Sequence, residues 1–563
     1  MDVATAVGRT LVELGVDRAF GVVGSGNFHV TNAMVDAGAR FVAARHENGA
    51  ATMADAYARM SDRVAAVTVH QGCGLTNAMT GLTEAAKSRT PLVVVAAAVT
   101  EPKSNFYVDQ DALATAVGAV PMRVRDATSA VATATQAYVT ARDDRRTVLL
   151  NLPLAVQGAE VEPAEATAAS DAAADATAAP AAREPDATAA PAAREPDPDG
   201  LAALVGALRA ADRPVFVAGR GARGSRAELR RLGEICGALL ATSAVAKGLF
   251  HDDPWSLDVS GGFASPLAAE LIQGADLIVG WGCALNMWTM RHGRLIGPDA
   301  VVAQVDLEPD ALGVHRDLAV GVVGGVTETA TAASELLAAD RPTAPGYRTD
   351  QLRSRVATSV RWRDVPYDDT STADHIDPRT LTIGLDDLLP TERIVSIDSG
   401  NFMGYPSMFL SVPDEYGFCF TQAFQSIGLG LATAIGAALA QPQRLPVAAL
   451  GDGGALMAAA ELETVARLRL PMVVVVYNDA AYGAEVHHFG PDGYPLDTVR
   501  FPDTDIAAIG RGYGFDAVTV RRRNDLAGVR GWLEGDRQAP LLVDAKVTSD
   551  SGSWWLEEAF RGH

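Results

Sequence analysis

Three α/β domains, each with a mainly parallel sheet, are the architecture this sequence predicts, and two observations predict it. Short continuous apolar runs alternate with Ala-rich helical stretches along nearly the whole chain, and stretches of linker composition divide that alternation into three blocks. The expected strands include Val64–Val69, Leu92–Ala97, Val148–Leu152, Val215–Ala218, Leu277–Gly280, Val301–Leu307, Ile394–Ile397, Val447–Leu450, Met472–Tyr477 and Leu541–Ala545. Uninterrupted apolar runs of this length mark strands buried on both faces, the condition of a parallel sheet covered by helices.

Composition sets the boundaries. Residues 161–198 are rich in Ala, Pro, Asp, Glu and Thr, and Asp175–Pro185 is repeated without change as Asp186–Pro196. The prolines in each copy break helices, so this reads as a disordered linker lengthened by duplication and not as a helical repeat. A second polar linker spans 341–376, with one short helix expected around Gln351–Arg361. The domains are then 1–160, 199–340 and 377–553, followed by a tail at 554–563.

At 563 residues the chain is too long for one core, and 48% hydrophobic with 21% charged residues is an ordinary soluble profile. No apolar run reaches the roughly 20 residues of a membrane span, and Met-Asp-Val-Ala-Thr has no secretory character. The net charge of −22 repels phosphate backbones, which argues against nucleic acid as a partner. Cys73, Cys236, Cys283 and Cys419 form no CxxC pair, as expected in a reducing cytoplasm.

The strongest chemical signal lies in 445–482. A strand ends in Gly451-Asp452-Gly453-Gly454, a helix follows, and a second strand ends in Tyr477-Asn478-Asp479. Ligands of parallel sheets gather beyond the carboxyl ends of the strands. Two acids and a backbone carbonyl there suit a hard cation such as Mg²⁺, while glycines and a helix N-terminus suit a phosphate. A GDG turn alone is more often a capped turn, but here it is framed by two buried strands and followed by a second acidic strand end.

This arrangement resembles the thiamine-diphosphate signature. The resemblance extends through Arg45-His46-Glu47-Asn48-Gly49-Ala50-Ala51-Thr52-Met53-Ala54-Asp55-Ala56-Tyr57-Ala58-Arg59 to the acetolactate synthase and 2-oxo acid decarboxylase superfamily. It implies a pyrimidine-binding, a middle and a diphosphate-binding domain, in that order. It also implies that Glu47 hydrogen-bonds the aminopyrimidine N1′ of the cofactor, whose own ylid does the chemistry. Alone, Glu47 would read as a surface carboxylate opening a helix.

The same resemblance assigns Asp452, Asp479 and the Ala481 carbonyl to the metal. Most relatives have Asn-Asn where this chain has Asn478-Asp479, so Asn478 stays the alternative ligand. Ser399, Gly400 and Asn401 match a loop touching the diphosphate, as do Gly451, Gly453 and Gly454, and Tyr482-Gly483 anchors the alignment. Ile427 matches the apolar wedge between the cofactor rings, with plain core as its other reading. Gln425 stands where a glycine is usual.

Three positions bear on the reaction. His70 ends a strand, where an imidazole suits proton transfer, or is a structural histidine. Glu485 matches an acid of pyruvate-decarboxylase-like enzymes, or is a solvated helix carboxylate, and His487 and His488 stand beside it. Gln110 matches an active-site glutamine. His70 and Glu485 favour proton handling, whereas Asn77-Ala78-Met79-Thr80-Gly81-Leu82 is more similar to the synthase branch.

The implied function is therefore a carboligase or lyase acting on a 2-oxo acid through an enamine, similar to acetolactate synthase. Its alternatives are a non-oxidative decarboxylase releasing an aldehyde and a non-catalytic paralogue. Gly282–Trp288 lacks the flavin pattern of the synthases, so FAD is not predicted. A nucleotide-binding protein of Rossmann type is a weaker rival, because no GxGxxG is expected to open a helix in the right context. The resemblance further implies a homodimer at minimum and a homotetramer as the expected assembly, with Glu47 and Asp452 meeting across subunits. Trp554, Trp555 and Phe560 are expected either to close over the active site or to cover a subunit interface.

Overall fold

The computed structural model describes residues 1–161, 194–339 and 346–559. The first expected linker lies largely outside the described residues, as does Phe560. The rest forms three six-stranded sheets, every paired strand parallel to its neighbours. No helix among the described residues is long and apolar enough to cross a membrane.

The first sheet contains β1 (Arg18–Gly21), β2 (Arg40–Ala43), β3 (Ala65–Val69), β4 (Leu92–Ala98), β5 (Val120–Arg123) and β6 (Thr147–Pro153). Their order is β2-β1-β3-β4-β6-β5. The second contains β7 (Pro214–Ala218), β8 (Leu239–Thr242), β9 (Ser256–Val259), β10 (Leu277–Trp281), β11 (Val301–Asp306) and β12 (Val320–Val323), in the order β12-β11-β10-β7-β8-β9. The third contains β13 (Arg393–Ile397), β14 (Phe418–Cys419), β15 (Leu445–Gly451), β16 (Val473–Asn478), β17 (Asp516–Val520) and β18 (Leu541–Lys546), in the order β14-β13-β15-β16-β18-β17. Each chain block winds to one side of its first strand and then to the other. The strand order therefore reverses beside β1, β7 and β13, and a crevice opens at each of those points.

The first and third sheets share a core. Helix Glu47–Ser61 carries Ala50, Ala51, Met53, Ala54 and Ala58, and it packs against Leu431, Ala434, Ile435 and Ala438 of helix Gly430–Ala440. Alanine on both surfaces allows this close approach: a Cβ on Gly436 would stand 2.1 Å from the Met53 carbonyl. The second sheet has its own core on each face. Helix Asp350–Ser359, within the expected second linker, buries Leu352 and Val356 in one of them.

One expectation needs correction. Gly219-Arg220-Gly221-Ala222-Arg223-Gly224 is a GxGxxG sequence, and it does stand between β7 and helix Arg226–Cys236. Its amides are already spent: Gly219 N–H donates to the Trp281 carbonyl at 2.9 Å and Gly221 N–H to the Gly282 carbonyl at 3.1 Å. These glycines serve backbone packing across the crevice.

Candidate active site

The sequence-predicted residues fall into two groups, at the crevices of the first and third sheets. In the first, Glu47 opens its helix one turn beyond β2. Its entry is held from the third domain, where the buried Glu461 carboxylate accepts from Arg45 N–H at 3.0 Å and His46 N–H at 3.1 Å. Asn77 Nδ2 donates to Glu47 Oε2 at 3.0 Å. His70 follows β3, and its Nδ1 accepts from Gly26 N–H at 3.2 Å, so the neutral ring carries its proton on Nε2. Phe106 meets the imidazole edge-on, with centroids 5.5 Å apart. Gln110 is fully buried instead and donates to Asn151 Oδ1 at 3.0 Å, away from this cluster's hydrogen bonds.

The third sheet supplies the second group, at the reversal between β13 and β15. Asp398, at the end of β13, is buried and accepts from Gly428 N–H at 3.0 Å and Leu429 N–H at 3.3 Å. Burial raises its carboxyl to about 6 against those backbone donors. It ties the Gln425–Gly428 loop to the Gly451–Gly454 turn so tightly that a Cβ on Gly454 would lie 1.9 Å from Asp398 Oδ2. Gly453 is under a similar constraint, since its Cβ would meet the Tyr482 ring at 2.7 Å. Ile427 is only half-buried, beside Gly400. Gln425 adopts φ of 59°, the left-handed conformation for which glycine is the usual residue.

Asp452 and Asp479 end the neighbouring strands β15 and β16 and face each other. Burial raises both carboxyls above the ordinary carboxylate range, and the charge of Asp452 adds to the rise at Asp479. Neither oxygen of Asp479 receives a hydrogen bond of ordinary geometry among the described residues. The Ala481 carbonyl likewise accepts no backbone hydrogen bond among them. Asn478 differs: its Nδ2 donates to Asp544 Oδ1 at 2.9 Å, and its Oδ1 accepts from Ala480 N–H at 3.2 Å. Two buried acids, one of them with both oxygens unpartnered among the described residues, beside a carbonyl that no backbone amide there engages, form an oxygen set that fits a hard divalent cation. The amides of the glycine turn fit the phosphates that such a cation would bridge.

Among the described residues no hydrogen bond or ion pair joins Glu47, His70 or Gln110 to Asp452 or Asp479. Glu485 is half-buried on helix Gly483–Phe489, beside His487, whose Nε2 is buried and has no partner among the described residues and whose pKa burial lowers. Sequence reasoning missed Asp398, Glu461 and Asp544. Each is an acid in an apolar or helical run, and that mismatch with its surroundings was the available signal.

Comparison with known proteins matches three family models to these sheets. Residues 1–119 match the N-terminal TPP binding domain of thiamine pyrophosphate enzymes, 201–333 the central domain and 398–545 the C-terminal TPP binding domain. The chain is a thiamine pyrophosphate enzyme.

Among its relatives in that family is a probable 2-ketoarginine decarboxylase of Pseudomonas aeruginosa, 30% identical over 92% of this chain and 89% of that protein. A sulfoacetaldehyde acetyltransferase of Alcaligenes xylosoxydans xylosoxydans is 27% identical over 84% and 81%. An acetolactate synthase large subunit of Parasynechococcus marenigrum is 25% identical over 97% and 87%. In fold the enzyme resembles the Rhodococcus jostii thiamine diphosphate-dependent 4-hydroxybenzoylformate decarboxylase, with a TM-score of 0.79 at 22% identity over 98% of this chain and all of that one.

Proposed function

We propose that this thiamine pyrophosphate enzyme decarboxylates a 2-oxo acid, with Mg²⁺ anchoring the cofactor. The observation that carries this reading is the placing of proton-handling groups in both halves of the site. His70 offers an Nε2 proton in the first, and Glu485 offers a carboxylate on the helix after the metal-side strand in the second. The relation to the 2-ketoarginine decarboxylase supports it.

When bound, the cofactor would supply a nucleophilic ylid carbon for the substrate carbonyl and a cationic ring that takes up the electron pair released as CO₂ departs. The chain's own residues hold it and move protons. Asp452, Asp479 and the Ala481 carbonyl ligate Mg²⁺, and the engagement of Asn478 with Asp544 supports this choice of ligands. Ser399, Gly400, Asn401 and the turn Gly451–Gly454 receive the diphosphate, while Ile427 and Tyr482-Gly483 bound the thiazolium side. Glu47, held by Asn77, would hydrogen-bond the aminopyrimidine N1′ and favour its imino tautomer. His70 and Glu485 deliver and retain protons at the substrate's carbonyl end, and Gln110 acts through Asn151. The expected assembly is a cytoplasmic homodimer or homotetramer whose sites form between subunits, and the lack of any hydrogen bond joining the two halves within the described residues supports the shared site.

The test is incubation of the holoenzyme with 2-oxo acids bearing cationic, aromatic and methyl side chains, followed by CO₂ and product analysis. Decarboxylation yields one aldehyde per CO₂ without an acceptor. CO₂ release tied to a hydroxyketone product would instead establish the carboligase reading, which the acetolactate synthase relation favours.

A further inference from the structure

The last described segment returns from β18 to the diphosphate loop after β13. There the Ser553 N–H donates to Asn401 Oδ1 at 2.9 Å. Ser553 Oγ and Trp555 Nε1 both donate to the Asn401 carbonyl, at 2.7 and 3.1 Å. All three residues are buried. A backbone N–H on one end of the amide identifies that end as oxygen, so the NH₂ must point the other way. Among the described residues Asn401 Nδ2 is buried without an acceptor, and it lies toward the metal-side strand end. A Cβ on Gly483 would stand 3.3 Å from it and 2.7 Å from Asp479 Oδ2. A desolvated donor of this kind is costly unless a ligand completes it.

We propose that Ser553 and Trp555 are positioning residues, which clamp Asn401 so that its Nδ2 donates to a diphosphate oxygen of the cofactor. The proposal rests on the cofactor reading above. The same tail is seated on the middle domain: Trp555 packs with Phe263 and Trp288, and Trp554 lies against Trp362 and over Arg291. Seating of the tail and binding of the diphosphate therefore favour each other reciprocally. This gives the C-terminal tryptophans a role distinct from both a lid and a subunit contact.

Calorimetric titration of full-length apoenzyme with thiamine diphosphate at saturating Mg²⁺ tests this. Asn401→Ala, and separately the pair Ser553→Pro/Trp555→Phe, whose proline removes the N–H that turns the amide, should each weaken Kd about three- to tenfold, the effect of one buried hydrogen bond. In the Asn401→Ala background the pair should no longer change Kd, a non-additivity that general loosening of the tail would not produce. Bound cofactor should also slow carboxypeptidase release of the C-terminal residues. Wild-type affinity in the Ser553→Pro/Trp555→Phe variant, or additive losses with Asn401→Ala, overturns the clamp alone. Absence of cofactor binding by the wild type overturns the cofactor reading and the clamp together.

Discussion

At residue scale the proposed metal site is built on acids that burial has made reluctant to ionise. Both Asp452 and Asp479 have carboxyls raised in the folded chain, so without a cation their protonated forms favour folding. A raised carboxyl contributes stability that is fully present below its unfolded pKa and is lost as pH rises through the folded value. Cation binding must expel those protons. The Mg²⁺-dependent affinity for thiamine diphosphate should therefore strengthen as pH rises from the carboxylate range to neutrality. Calorimetry across that range, in two buffers of different ionisation heat, should record proton release. Asp479→Ala should abolish the Mg²⁺ dependence, whereas Asn478→Ala should chiefly lower thermal stability by freeing Asp544. Glu47→Gln should retain the cofactor and lose turnover by about a hundredfold or more, measured as kcat beside cofactor Kd. At Gln425 the left-handed φ costs about 1 kcal/mol, so Gln425→Gly should hold or raise Tm without loss of cofactor binding.

At the scale of elements, the Glu47 helix is oriented by a carboxylate from another domain. Glu461 satisfies two amides at its entry, and Glu461→Gln should destabilise the fold by about 2 kcal/mol in denaturant titration. The named apolar runs correspond to β3, β4 and β6, to β7, β10 and β11, and to β13, β15, β16 and β18, which are contiguous central strands in each sheet. The outer strands are shorter or partly exposed. β2, β5 and β17 carry Arg40, Arg123 and Asp516, and β14 has only two residues. Burial on both faces writes itself into sequence as an apolar run, whereas an edge strand needs only a partner. For the same reason the GxGxxG after β7 misleads in either direction, because its glycines answer to Gly282 across the crevice.

For the whole molecule, the proposed site draws Glu47 and His70 from the first sheet and Asp452 and Asp479 from the third. Mixing inactive Glu47→Gln and Asp452→Ala variants under exchange should restore about a quarter of wild-type activity, since a mixed dimer holds one intact site of two. No recovery would place each site within a single chain. The motif residues were legible in the sequence by itself, because strand-end loops and helix starts are local and their chemistry is carried by neighbours in the chain. They were enough to determine the family, the fold and the cofactor. Tertiary structure alone decided which polar groups are spent and which remain available. Asn478 is occupied by Asp544, 66 residues away, and Asn401 is turned by Ser553, 152 residues away. Hydrogen-bond saturation depends on packing between distant segments, and no local pattern encodes it.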